Sequence, residues 1–189
     1  IFLDGVRIGG ESPTTNPISR EVCPTLASLV DDSDPVDVGM DTPGLPQSAT
    51  GQTALLTGIN AAAALGRHIE GFPNRRLREI IADNNLFVRL QSAKRRCAFA
   101  NGYYADNSGQ VRASRVQSVT TVAALSVPGL VRVRSALENN LAVCQDLTRR
   151  SLHSRGYTGP EISPAEAANH LLEIARRHNF TLFEYFQTD

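Results

Sequence analysis

A chain of 189 residues is long enough for one compact domain with a sizeable core, burying roughly 70% of the surface that its unfolded form exposes. Hydrophobic residues make up 41% and charged residues 20%, with 19 basic residues balancing 19 acidic ones. That balance excludes a globally disordered chain and a strongly cationic nucleic-acid binder, while leaving room for a local phosphate site. Cys23, Cys97 and Cys144 form neither a close-spaced metal pair nor a secreted disulfide framework. Their odd number points to free thiols in a reducing compartment, and so to the cytoplasm. No apolar run of about 18 residues or more is present to span a bilayer, and the opening IFLDGVRIGG meets an acid too early for a signal peptide.

The apolar triplet Ile1, Phe2 and Leu3 predicts a short buried strand that delivers Asp4 at its end, with Gly5 and Gly9-Gly10 turning the chain away. Residues 11–20 read as a surface loop, and a short helix is expected around Thr25 to Val30. Asp31, Asp32, Asp34 and Asp37 follow in a hydrated loop where carboxylates need no ligand, and they stay outside the catalytic set. In DTPGLPQSATGQTALLTGIN, Pro43-Gly44 and Pro46 shape a turn, Ser48 precedes a short helix through Leu56, and Thr57-Gly58 sets its end. The run Ile59 to Leu65, broken by Asn60 and bounded by Gly66, reads as packed backbone. Pro73 can start a helix with Leu77, Ile80 and Ile81 inward and Arg75, Arg76 and Arg78 on the wetter side; Leu86 to Leu90 suggest another short helical segment.

Cys97 to Asn101 fit a buried strand, and GYYADNSGQ is rich in loop formers. Residues 101–158 are less periodic and read as a small cap or insertion between core segments 1–100 and 159–189. Within it, SVTTVAALSV is either a strand followed by a helix or a short apolar packed segment. Ser163, Pro164 and Glu166 stand in the order of an N-cap, first-turn proline and capping-box acid, starting a helix to about His178; TLFEYF then reads as a strand ending near Asp189. Strand-edge acid, helix and strand recur as in an α/β architecture.

There is no GxxxxGK[ST] phosphate loop, no GxGxxG strand-to-helix fingerprint and no GxSxG nucleophile elbow. The pairs Arg75-Arg76, Arg149-Arg150 and Arg176-Arg177 read as solvated helix faces, because aromatic residues are too sparse for an interleaved stacking surface. Ser48 is the leading nucleophile candidate: it stands after a Gly/Pro-rich turn at a helix start, where free N–H groups can stabilise phosphoryl oxygens. An ordinary N-cap explains the same residue. A serine hydroxyl is a weak nucleophile, so catalysis requires its deprotonation or its coordination to a metal.

Three separated motifs, FLDG at 2–5, GLPQSATGQTALLTG at 44–58 and FEYFQTD at 183–189, resemble the N-terminal part of a metalloenzyme of the alkaline phosphatase superfamily. The likeness is to the branch of cofactor-independent phosphoglycerate mutase and phosphopentomutase, and extends through NNLF, CAFANGYY and the SPAEA helix start. It implies an alkaline-phosphatase-like three-layer αβα sandwich, incomplete at the C-terminus. It also implies two divalent ions, Mn²⁺ or Zn²⁺, with Asp4, Ser48 and Asp189 as metal ligands and Ser48 as the residue that becomes phosphorylated. A small phosphorylated molecule is the implied substrate, with phosphate passing to water or to an acceptor hydroxyl; neither nucleic acid nor membrane is an expected partner. The sulfatase pattern S/C-x-P-x-R is absent at Ser48-Ala-Thr.

Related enzymes continue past the aspartate that corresponds to Asp189 into a GH element, a DH pair and a further histidine. The expectation is therefore a fragment whose two-metal site needs a missing C-terminal portion or a complementary polypeptide. The alternative is a noncatalytic α/β binding or assembly module of the same fold. Of the histidines, His68 reads as a loop or core hydrogen-bonding residue, His153 as exposed, and His170 and His178 as belonging to the last helix. Asn60 and Arg67 are the substrate-binding candidates, although each also has an ordinary turn or surface explanation.

Overall fold

The computed structural model describes residues 1–6, 12 and 14–188; Gly9-Gly10 and Asp189 lie outside the described residues. In chain order the elements begin β1 (Phe2–Leu3), α1 (Pro24–Asp31), α2 (Ser48–Thr57), α3 (Ala61–Leu65), α4 (Arg75–Asn84), α5 (Leu86–Ser92) and β2 (Cys97–Phe99). They continue α6 (Ser108–Ala113), α7 (Val119–Leu125), α8 (Arg134–Glu138), α9 (Arg150–His153), α10 (Pro164–Arg176), β3 (Phe180–Leu182) and β4 (Glu184–Tyr185). The arrangement is mixed α/β with small sheets.

Parallel pairing joins β1 to β4 with Phe2 opposite Glu184, and β2 to β3 with Cys97 opposite Phe180. Only Phe183 separates β3 from β4, and its carbonyl accepts the Phe2 N–H at 2.8 Å. Residues 180–185 thus form a single run flanked by β1 on one side and β2 on the other. Parallel bridges Asn101 to Val143 and Gly102 to Arg132 extend the arrangement outward. Parallel neighbours require crossovers, which the intervening helices supply.

Successive strand residues face opposite ways. Phe99 and Leu182 join a cluster with Leu56 of α2, Leu77 and Ile81 of α4, Phe87 of α5 and Val119, Ala123 and Ala124 of α7. Ala98, Ala100 and Phe183 join Val143 with Ala167 and Ile174 of α10 in a second cluster. Phe87 centres the first: fully buried, it meets the rings of Phe99 and Phe180 edge-on at 6.2 and 6.0 Å. A third cluster gathers Leu137, Ala142, Cys144, Leu152 and Tyr157.

Local chemistry sets the helix ends. In α10 the Ser163 side chain accepts from the Glu166 N–H, while the Glu166 carboxylate accepts from the Ser163 N–H at 2.8 Å. This helix ends at Arg176, with Arg177 as its C-cap, slightly short of His178. The Ile59 to Leu65 run contains α3, whose first turn Asn60 caps by accepting from the Ala63 N–H at 3.0 Å. SVTTVAALSV resolves to a helix: the Ser118 side chain caps it, and burial of six of its seven residues overrides the strand preference of its β-branched start.

Phe87→Ala should lower unfolding free energy by about 3–5 kcal/mol, against about 1 kcal/mol for Ser163→Ala. Urea unfolding of both variants checks the order; equal losses would contradict a core centred on Phe87.

Candidate functional site

Asp4 leaves the end of β1 and is buried, its N–H bonded to the Tyr185 carbonyl at 3.2 Å. The Thr188 hydroxyl donates to the Asp4 carbonyl at 2.6 Å, drawing the chain after β4 over the same edge. At this edge α2 presents Ser48 and Gln52, four residues apart and therefore on one helix face. The Ser48 hydroxyl faces Asp4 Oδ1 at 3.5 Å, and Gln52 Nε2 donates to Asp4 Oδ2 at 3.1 Å.

Ser48 is the first residue of α2 rather than the residue before it. Gln47 holds the N-cap position with extended backbone, and its side chain makes no capping bond. The first N–H groups of α2 therefore lack a side-chain acceptor from the cap, and the positive end of the helix lies beside Ser48. Gly58, at φ 73°, closes the other end in the left-handed region, as Thr57-Gly58 predicted. The turn before α2 is braced by His68, whose Nε2 lies 3.2 Å from the Thr42 carbonyl and whose Nδ1 lies 3.5 Å from Thr50 Oγ1. This fits the hydrogen-bonding role read for it.

Glu184 was not among the sequence candidates. It is fully buried and receives a hydrogen bond from the Thr120 hydroxyl, while its Oε1 has no partner. Burial pushes its carboxyl up to about 8; the nearby negative Asp4 adds to the rise, and the Thr120 bond opposes it. Asn101 fixes the backbone on which Glu184 rides: its amide donates to the Glu184 carbonyl at 2.7 Å and accepts from the Glu184 N–H at 2.8 Å. The sequence signal was an acid among apolar strand residues, with Leu182 two positions earlier marking the inward face.

From Thr120 a run of hydroxyls continues through Ser118 at 2.8 Å and Thr121 at 2.9 Å to the Tyr103 phenol at 2.6 Å. Burial drives the Tyr103 pKa upward, so that phenol stays protonated. Beside it opens a cavity of about 290 Å³ whose lining includes Phe72, Asn101, Tyr103, Ser118, Thr121 and Phe186. Asn101 and Phe186 follow β2 and β4, so the cavity lies at the carboxyl ends of parallel strands, where open α/β sheets bind ligands.

Asp4 and Ser48 thus come together. Asn60 spends its side chain on the α3 cap and on a 2.9 Å bond to the Met40 carbonyl; Arg67 is exposed. Of the four acids read as a loop, Asp31 is instead the last residue of α1 and pairs with Arg20, and Asp37 accepts the Gly39 N–H at 2.8 Å. Among the described residues, no group of three or more His, Cys, Asp or Glu could hold a metal ion, and no helix is long and apolar enough to cross a membrane. All three cysteines are free. Comparison with protein-family models, curated proteins and solved structures gives no match.

Because the Glu184 carboxyl lies above its ordinary value of 4.5, the folded state retains a proton that the unfolded chain releases. Its stabilising effect is complete below that value and is lost as pH rises through about 8. Glu184→Gln should therefore gain stability relative to the parent between pH 5 and 9, on the order of a few kcal/mol. Urea unfolding across that range checks it, and a constant difference between the two proteins would contradict the buried neutral acid.

Proposed function

We propose that this protein is the N-terminal part of a metal-dependent phosphatase or phosphomutase, acting on a small phosphorylated molecule through a phosphoserine at Ser48. The observation that carries the reading is the Ser48 hydroxyl 3.5 Å from the buried Asp4 carboxylate, at the start of a helix with no side-chain cap. The αβα sandwich of the alkaline phosphatase superfamily is the architecture proposed with it, and the cytoplasm the location.

The donor set fits part of the implied metal centre. Ser48 Oγ and Asp4 Oδ1, 3.5 Å apart, are both hard oxygen donors of a kind that Mn²⁺ or Zn²⁺ would accept. When bound, such ions would favour the serine alkoxide and neutralise charge on the transferring phosphoryl group. Asp189, together with residues downstream or on a complementary polypeptide, would provide the further ligands that two ions need.

The chain's own residues have separable tasks. Gln52 holds Asp4 Oδ2, leaving Oδ1 toward Ser48. The first N–H groups of α2 offer donors to phosphoryl oxygens, which the helix N-terminus favours. Glu184 stays neutral near pH 7, so that Asp4 is not opposed by a second buried negative charge. The cavity beside Tyr103 is the proposed seat of the organic part of the substrate. Ser48 Oγ gives up its proton and attacks phosphorus while the bond to the leaving alcohol oxygen breaks and that oxygen takes up a proton from solvent. Water or an acceptor hydroxyl then takes the phosphoryl group, losing its own proton as Ser48 Oγ regains one.

With the full natural polypeptide and Mn²⁺ or Zn²⁺, Ser48→Ala should lower kcat/KM for phosphoester turnover by about 10³-fold or more. Asp4→Asn should weaken metal binding, raising the metal concentration needed for half-maximal turnover. Full turnover by a folded Ser48→Ala protein would remove the nucleophile, and metal-independent turnover would remove the metal centre.

A further inference from the structure

We propose that the cavity around Arg149 is a binding site for a small organic carboxylate. The cavity holds about 500 Å³, and its lining includes Tyr104, Asn140, Arg149, Tyr157, Glu166 and His170. It shares no lining residue with the Asp4, Ser48 and Glu184 group.

Arg149 is unusual in three ways. It is only 4% exposed, although arginine is seldom buried without a partner charge. Its backbone lies in the left-handed region at φ 67°, which costs a residue other than glycine about 1 kcal/mol or more. Asp146 holds it there, with one carboxylate oxygen accepting the Arg149 N–H at 2.8 Å and the other the Ser151 N–H at 2.6 Å. Finally, among the described residues no carboxylate lies within ion-pair distance of its guanidinium.

What the guanidinium meets is neutral. Nη2 donates to Asn140 Oδ1 at 2.7 Å, Nη1 donates to the Tyr157 hydroxyl at a long 3.3 Å, and Nε has no partner. A guanidinium carries five N–H donors, so this one keeps spare donors, and the Glu166 carboxylate that feels its charge across the cavity stands beyond ion-pair distance. A buried cation left in that condition is costly, and an anion arriving from the adjoining cavity offsets the cost. His170 contributes a second polar group: its Nδ1 is buried and also has no partner.

The acids around the cavity select the class of anion. Glu166 is committed to the α10 capping box, accepting from the Ser163 N–H and hydroxyl at 2.8 and 2.9 Å. Glu138 stands on the same lining. Both repel a phosphate dianion more strongly than a carboxylate monoanion. The planar guanidinium fork matches a carboxylate, and the rings of Tyr104 and Tyr157, edge-on at 5.9 Å, offer apolar surface to its carbon skeleton.

The test titrates the purified protein with acetate, benzoate and inorganic phosphate, following the Arg149 Nε–H resonance by NMR and the heat by calorimetry. Saturable binding of at least one carboxylate, tighter than phosphate, is expected. Asn140→Asp places a carboxylate where Nη2 already finds an oxygen; Asn140 sits at φ 60°, a conformation that aspartate also tolerates. That variant should fold with an unchanged or higher Tm and bind the carboxylate at least about tenfold more weakly. Arg149→Gln should lose the binding as well. The proposal is overturned if neither carboxylate binds the parent, if phosphate binds more tightly than both, or if Asn140→Asp binds as the parent does.

Discussion

Residues 180–185 are the part of the chain on which the remaining structure hangs. Pairing with β1 places Asp4 at the sheet edge, and pairing with β2 brings Asn101 beside Glu184. These strands are short, so few ladder bonds hold them. The Asn101 amide compensates by bonding both backbone groups of Glu184, as a neighbouring strand would. The same run divides the apolar side chains, with Leu182 in one cluster and Phe183 in the other. Sheet register and site geometry are therefore one constraint: a slip by one residue would turn Glu184 out of the interior and Phe183 away from α10.

That constraint explains how two acids coexist at the edge. Asp4 keeps hydrogen-bond partners at Ser48 and Gln52, whereas Glu184 has one donor, Thr120, and an Oε1 with none. Burial and the charge of Asp4 favour the neutral form of Glu184. The region around Arg149 shows the opposite imbalance, a buried cation whose guanidinium hydrogen-bonds only to uncharged groups. In both places a polar group is held by a committed backbone: Glu184 by Asn101, and Arg149 by Asp146.

Much of the framework was legible in the sequence because its signals are local. The Ser163-Pro164-Glu166 order predicts the start of α10 and Thr57-Gly58 the end of α2. Of the opening apolar triplet read as a buried strand, Phe2–Leu3 form a half-buried strand that delivers Asp4, whereas Ile1 lies outside it and is exposed. Where tertiary burial decides, local signals gave less. The β-branched start of α7 left strand and helix open, and the alanine-rich run after Asn60 showed its cap only as a turn residue. For the site, Asp4 and Ser48 were singled out from motifs. Glu184, Thr120, Asn101 and the unpaired Arg149 depend on contacts across many residues, which no local pattern carries. Arg149 in particular read as half of a solvated basic pair, yet only Arg150 of that pair is exposed.

The central claim is that the hydroxyl facing Asp4 is the one that takes up phosphate. Incubating the full natural polypeptide with a phosphoester and Mn²⁺ or Zn²⁺, quenching in acid and mapping phosphopeptides by mass spectrometry tests it most directly. The account predicts phosphate on Ser48, appearing only with the metal and discharged when substrate is exhausted. Phosphoester turnover with Ser48 unmodified and phosphate on another residue would contradict it.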